Sequence, residues 1–181
     1  MQVLKEKVRI KIVQAAEKEF KELGFEKTSM RTIAANAYMT VGNLYRYYRN
    51  KEELFGAVVD ELVVELKKLM ACAPEEAPGT RFSYLFVKFK GLQQNHFSEW
   101  LTLFGGSTGT KYKETTDEIH RMFKDSMVEI IQKSVRHPEA VDVIASSIIF
   151  GLNSILQSSK TGRNPFELAD EFLNYMNINY S

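Results

Sequence analysis

Apolar residues return at intervals of three and four along almost the whole chain. Nowhere does a two-residue alternation persist, and this predicts an all-α protein. Ile12, Val13, Ala16, Phe20 and Leu23 form a stripe on a first helix over about residues 5–23, which Gly24 stops as a C-cap. Thr28 can N-cap a short second helix carrying Ile33, Ala34 and Ala37, and Thr40 a short third one reaching about Tyr48. Asn50 and Glu53, three apart, have the form of a capping box that opens a fourth helix over about residues 51–70. Residues 73–79, with two prolines and a glycine, break the pattern. Beyond them Phe82, Leu85, Phe86, Phe89 and Leu92 make an aromatic stripe, and a short apolar segment follows around Phe97, Trp100, Leu101 and Phe104. Residues 105–109, Gly-Gly-Ser-Thr-Gly, read as a flexible loop. A long helix over about residues 112–135 turns Ile119, Phe123, Met127 and Ile130 inward. Pro138 suits the first turn of the next helix, which reaches about residue 159, and Asn164-Pro165-Phe166-Glu167 opens the last one.

Composition narrows the class. The 181 residues are 44% hydrophobic and 26% charged, enough to bury a substantial core and too apolar for a disordered chain. One cysteine, Cys72, allows no internal disulfide and too few thiolates for a zinc finger. No N-terminal signal peptide is evident, so a cytoplasmic location is expected. The longest apolar run, residues 143–152, is interrupted by Ser146 and Ser147. It is about half the roughly 20 residues that a membrane span needs, so no membrane partner is expected. The net charge of +1 conceals an asymmetry. Residues 1–51 hold eleven Lys/Arg against five Asp/Glu, a net of +6, which leaves −5 on the rest. A basic head on an acidic body suits an encounter with a polyanion, although chance on a solvated surface gives the same skew.

Residues 28–55 carry the most specific signal. Two short helices separated by a tight turn set a steep crossing angle, with the second free to enter a major groove. Leu44 and Tyr48, four apart, can pack on Ile33 and Ala34, which turns Thr40, Val41, Asn43 and Tyr47 outward. Thr40 and Tyr45 offer hydroxyls to phosphates, Asn43 can bond a base edge, and the Val41 methyls can touch a thymine methyl. Gly42 leaves room for a backbone to approach closely. Arg31 lies in the first turn of the second helix, and Arg46 adds a cation to the third. Lys51 opens the fourth helix, where its charge and the helix N-terminus both favour a phosphate.

Thr28-Ser29-Met30-Arg31-Thr32-Ile33-Ala34, Ala37, Thr40-Val41-Gly42-Asn43-Leu44-Tyr45-Arg46-Tyr47-Tyr48 and Lys51-Glu52-Glu53-Leu54-Phe55 together resemble the DNA-binding signature of the TetR/AcrR family of bacterial transcriptional regulators. Ala15-Ala16, Phe20 and Gly24-Phe25 match the same family's first helix, and the likeness covers about residues 8–56. It implies a helix-turn-helix DNA-binding domain over residues 1–50 and an effector-binding and dimerisation bundle over residues 51–181. It also implies a double-stranded DNA operator bound by a homodimer, usually in repression, with Thr28, Ser29, Tyr45, Tyr47 and Lys51 among the DNA contacts. The family usually carries glycine in the turn, in a left-handed conformation, and this chain has Tyr38. Met39 replaces a usual valine.

In the body, physics carries more of the reading. Val141, Ile144, Ile148, Leu152 and Ile155 form one apolar stripe, and Val143, Ile149, Phe150 and Leu156 widen it beyond what a single core face needs. With Phe172 and Met176 of the last helix this predicts a dimer interface, since the family's final two helices bundle with their mates. A helix buried in its own protomer would fit as well. Phe82, Phe86, Phe89, Phe97, Trp100, Phe104, Phe123 and Met127 are large and pliable. With His96 and His120 as polar groups they predict a pocket for a small-molecule effector, against ordinary core packing as the alternative.

Other chemistries fit poorly. The glycine-rich stretch before Lys111 lacks the Gly-Lys-Ser/Thr of a phosphate loop, and no strand precedes it. Three histidines at positions 96, 120 and 137 show no metal-ligand spacing, so neither metal nor cofactor is expected. Asn179-Tyr180-Ser181 matches a glycosylation sequon without a secretory context. A helical partner-binding adaptor, the main rival, leaves the basic head unexplained. An enzyme should show a constellation of buried polar residues, and none is evident.

Overall fold

The computed structural model describes residues 2–72, 78–132, 135–157, 167–169, 171–172 and 174–175. In chain order the helices are α1 (Gln2–Lys27), α2 (Met30–Asn36), α3 (Val41–Leu44), α4 (Lys51–Ala71), α5 (Pro78–Asn95), α6 (Phe97–Gly106), α7 (Tyr112–Ile131) and α8 (Val141–Gln157). A single 3-10 turn, Pro138–Ala140, leads into α8, with Pro138 in the first turn, where its missing N–H costs nothing. The short pieces at residues 167–169, 171–172 and 174–175 are also helical, and no strand occurs among the described residues. Residues 164–166 lie outside the described residues. The fold is all-α, as the periodicity predicts, and no described helix is long and apolar enough to cross a membrane.

The chain packs as two units. One comprises residues 1–68 and 92–116, the other residues 69–91 and 117–181. The core of the first is built by Ile12, Ala16 and Phe20 of α1, Ile33 and Ala34 of α2, Leu44 of α3, and Leu54, Phe55, Val59 and Leu62 of α4, all at most 1% exposed. Phe55 is its centre. Its ring meets Phe20 edge-on at 5.0 Å, Phe25 edge-on at 5.5 Å and Tyr112 at 5.5 Å. Tyr112 also donates its hydroxyl to Asp60 Oδ1 at 2.7 Å. Gly56 makes this possible, because a Cβ there would stand 2.5 Å from the same hydroxyl oxygen. Burial and the bond to Asp60 hold the Tyr112 phenol well above its ordinary pKa.

Gly24 breaks the helical path of α1 at φ 75 and ψ 168, and a last turn continues to Lys27. Gly105 and Gly106, expected in a loop, are instead the end of α6. The reason is tertiary: a Cβ on Gly106 would lie 3.0 Å from the Phe20 carbonyl oxygen and 3.3 Å from the Gly24 Cα. Backbone, not side chain, closes this end of the α1 contact. Accordingly Leu23, expected in the core stripe, is 47% exposed. The turn that remains, residues 107–111, is tied by Thr110 Oγ1, which donates to the Ser107 carbonyl at 2.6 Å and accepts from Tyr112 N at 3.1 Å.

In the second unit Met127 and Ile131 of α7 pack with Val141, Ala145 and Ile148 of α8 and with Ala169. Phe89 and Phe123 meet edge-on at 4.5 Å. Gly151 lies so close to the Phe172 ring that a Cβ would be 3.2 Å from it. Cys72 is exposed in the turn that ends α4, its N–H donating to the Leu69 carbonyl at 3.2 Å.

Candidate nucleic-acid interface

The two short helices α2 and α3 depend on their caps, because a helix of one or two turns has nearly all its end groups unpaired. Ser29 Oγ accepts from Thr32 N at 3.1 Å and caps α2. Thr40 Oγ1 accepts from Asn43 N at 3.2 Å and caps α3, as expected. After Leu44 the chain tightens through bonds such as Tyr47 N to the Leu44 carbonyl, 2.9 Å, and reaches Tyr48 as turn rather than α-helix. At the mouth of α4 the expected capping box is present in altered form. Asn50 Oδ1 accepts from Glu53 N at 2.7 Å, while the Glu53 carboxylate accepts from Arg49 N at 2.6 Å.

Thr28, expected as the cap of α2, does not cap it, and its side chain, also expected at the DNA, is turned inward. It is 3% exposed, and its hydroxyl bonds to the Gly24 carbonyl at 2.8 Å and the Glu19 carbonyl at 3.2 Å, joining α2 to the end of α1. The same sequence signal, a hydroxyl just before a helix, was taken by Ser29 one residue on.

Lys51 departs from its expected role even further. Its ammonium donates to the carbonyls of Phe25 at 2.6 Å, Thr28 at 2.8 Å and Glu26 at 3.3 Å, and it stands 4.3 Å from the Phe25 ring centroid. The ammonium is thus directed at the carbonyl end of α1, where a cation is favoured by the helix dipole, and at the residue that follows it. Burial lowers its pKa below that of an ordinary lysine, with Glu26 acting in the opposite sense. In this structure Lys51 ties the start of α4 to the end of α1.

The remaining candidates are presented outward. Leu44 is fully buried and anchors α3, so Val41, Asn43 and Tyr47 are half-buried and Arg31, Thr40, Gly42, Tyr45 and Arg46 are exposed. A Cβ on Gly42 would meet nothing within 4 Å, so nothing inside the chain requires glycine there. Asn43, Arg46 and Tyr47 line a notch of about 250 Å³ whose other wall is Lys5 and Arg9 of α1. Lys5 and Arg9 were not among the expected contacts. Their signal was the four-residue spacing of like charges on one face of α1 within the basic head. Three cations around an amide and a phenol make a site suited to an anionic oxygen.

The turn between α2 and α3 is a Schellman motif: Met39 N–H donates to the Ala34 carbonyl at 2.9 Å and Tyr38 N–H to the Ala35 carbonyl at 3.0 Å. Tyr38 occupies its left-handed position with φ 57 and is the only such non-glycine residue described. That conformation costs a non-glycine residue about 1 kcal/mol. The side chain is 87% exposed, and its ring lies 4.8 Å from the Lys11 ammonium.

The expected effector and dimer residues divide differently from the sequence reading. His96, Phe97, Trp100 and Phe104 belong to the first unit, where Trp100 stacks on Phe104 at 4.3 Å and His96 Nε2 lies 3.5 Å from Glu65 Oε2. Phe89, His120, Phe123 and Met127 belong to the second, where Met127 is part of the core. His120 lines a cleft of about 290 Å³ with Arg121, Lys124, Ser146, Ile149 and Phe150. Val141 and Ile148, expected at a dimer interface, are buried in the core of their own unit, and Ile144, Ile155 and Phe172 pack against it. The outward stripe of α8 is Val143, Ser147, Phe150 and Ser154, with Val143 65% and Phe150 74% exposed. The side chains of Phe82, Phe86 and Leu152, and the whole of Met176, lie outside the described residues.

Comparison with known proteins agrees with this geometry. Residues 12–58 match the family model for bacterial regulatory proteins of the tetR family. The HTH-type transcriptional repressor Rv3405c of Mycobacterium tuberculosis is 39% identical over 66 residues, 36% of this chain and 35% of its own length. The chain therefore matches only about a third of that relative. A TetR-like transcriptional regulator from Rhodococcus sp. RHA1 has the same fold at TM-score 0.63 and 21% identity, covering 91% of each chain. AibR, solved in complex with isovaleryl coenzyme A and operator DNA, superposes with TM-score 0.61 at 20% identity, over 93% of this chain and 97% of that one. The Mycobacterium and Rhodococcus proteins are both transcriptional regulators. The capped tandem of α2 and α3 thus lies within a segment, residues 12–58, that is similar to the N-terminal region of tetR-family regulators, and the whole chain shares its all-helical fold with a solved TetR-like regulator.

Proposed function

We propose that this chain is a cytoplasmic repressor that binds a palindromic operator as a homodimer and is released by a small, largely apolar effector. The observation that carries the DNA-binding part is the recognition surface itself. A short helix is capped by Thr40 and anchored by Leu44, and it presents Val41, Gly42, Asn43, Tyr45 and Arg46 beside a three-cation notch. Val41 and Asn43 read bases. Arg46, Tyr47, Lys5 and Arg9 hold phosphates, and the Thr40 hydroxyl, already accepting from Asn43 N, keeps its proton for another. Ser29 and Arg31 flank this surface from α2. AibR, solved with isovaleryl coenzyme A and operator DNA, is a precedent for a small molecule and DNA binding one protein of this fold.

Selection from a pool of random-sequence duplexes tests this reading. Wild-type protein should enrich one inverted repeat with half-site centres one helical turn, about 34–36 Å, or a multiple of it apart. Failure to enrich any motif at moderate salt overturns it.

The dimer is assigned to the outward stripe of α8, because Val143 and Phe150 are large, apolar and exposed on one face with the small Ser147 between them and Ser154 beyond. Phe150→Glu should leave the helical content intact and turn a dimer into a monomer in sedimentation velocity, with operator binding weakened by more than tenfold. A variant that sediments as the wild type removes this face from the interface. The effector is assigned to the helical body, with Phe89, Phe123 and His120 of the second unit as residues that contact it. A change in operator affinity on adding the effector follows by linkage, in the range of about 5–150-fold.

A further inference from the structure

We propose that Tyr38 and Lys11 form a DNA-backbone contact of their own at the turn of the helix-turn-helix; the inference rests on the DNA-binding reading above. Tyr38 holds the left-handed position of a Schellman turn, the position glycine fills without strain, at φ 57. The core does not reward a large side chain here, because it is 87% exposed. The turn hydrogen bonds at Tyr38 and Met39 are backbone bonds that glycine would make equally well. A large aromatic residue that is both strained and solvent-exposed, two residues before the Thr40 cap of the recognition helix, is placed for something outside the chain.

Its surroundings indicate what that is. The Lys11 ammonium lies 4.8 Å from the ring centroid, so the ring holds a cation at the same edge of the head. An exposed cation–π contact offsets only part of the backbone strain, and it leaves the ammonium protons available. A phenol hydroxyl and a pre-oriented ammonium side by side suit one phosphodiester. The hydroxyl donates to one non-bridging oxygen, the ammonium neutralises the charge, and the ring face lies against the deoxyribose. Lys5, Arg9 and Arg46 form the separate notch described above, so the head would grip the backbone at two places.

A purely structural role and a DNA-contact role predict opposite outcomes. Tyr38→Gly relieves the strain but loses the Lys11 contact and adds unfolded-state entropy, so the melting temperature should not fall and should rise by at most about 2–4 °C for a chain of this size. Affinity for the operator selected by the wild type should nevertheless fall about tenfold. Lys11→Met should lower the slope of log affinity against log salt by about 0.9. A Tyr38→Gly variant that binds that operator as tightly as the wild type overturns the inference. If the wild type selects no operator at all, the DNA-binding reading fails first and this one with it. A wild type that selects a motif beside an unaffected Tyr38→Gly overturns this inference alone.

Discussion

Lys51→Ala should destabilise the first unit by about 2 kcal/mol and leave the salt dependence of DNA binding unchanged. The ammonium makes three bonds to carbonyls at the end of α1. A hydrogen bond to a charged group contributes about 1.5–3 kcal/mol, but here water can reach the half-buried site and replace part of that. The result corresponds to a fall of about 4–8 °C in melting temperature. Trp100 is the chain's one tryptophan and lies buried in the same unit, so its fluorescence reports on that unit. Lys51→Met keeps the aliphatic stem over Phe25 and should recover little of the loss, since it is the ammonium that bonds. A phosphate contact predicts the reverse pattern: an unchanged melt and a salt slope smaller by about 1. Observing that pattern would return Lys51 to the DNA surface.

Phe55→Ala should be more severe, about 3–5 kcal/mol. The ring is fully buried and touches Phe20, Phe25 and Tyr112, which come from α1 and α7. Helix backbones cannot close over a void of that size, so the cavity remains. Total stabilities of domains are about 5–15 kcal/mol, so the variant should unfold in urea at far lower concentration than the wild type, again followed through Trp100. Phe55→Leu refills most of the space and should lose well under half as much. A loss below about 1 kcal/mol for the alanine variant would mean that the Phe55 ring is not the centre of this core.

Both predictions concern residues inside the family signature, and they show where sequence stops informing. Helix periodicity, the Thr40 cap, the break at Gly24 and the opening of α4 at Lys51 were all legible, because each depends on neighbours a few residues away. Thr28 and Ser29 look alike as cap candidates, and only the position of the Gly24 and Glu19 carbonyls decides between them. Lys51 at a helix start reads as an anion-binding residue until α1 brings its carbonyl end within 3 Å of the ammonium. Gly105 and Gly106 read as a loop because their cause, the approach of the α1 backbone, is a long-range contact.

The α8 face shows a different limit. Val141, Ala145 and Ile148 face inward, while Val143 and Phe150 face outward. Both stripes are apolar, so hydrophobic pattern alone could not say which of them faces the protomer's own core. In the aromatic segments, too, the pattern marked large side chains correctly without saying which were simply core. Met127 was one of those.

The lone thiol of Cys72 has a practical consequence. It is exposed just past α4 and no other cysteine competes with it, so a spin label or fluorophore can be attached at one defined position without mutagenesis. In a homodimer two such labels would yield a single distance for each conformation. Its distribution with and without operator DNA or a candidate effector would report whether the two protomers move relative to each other, and in what proportion of molecules.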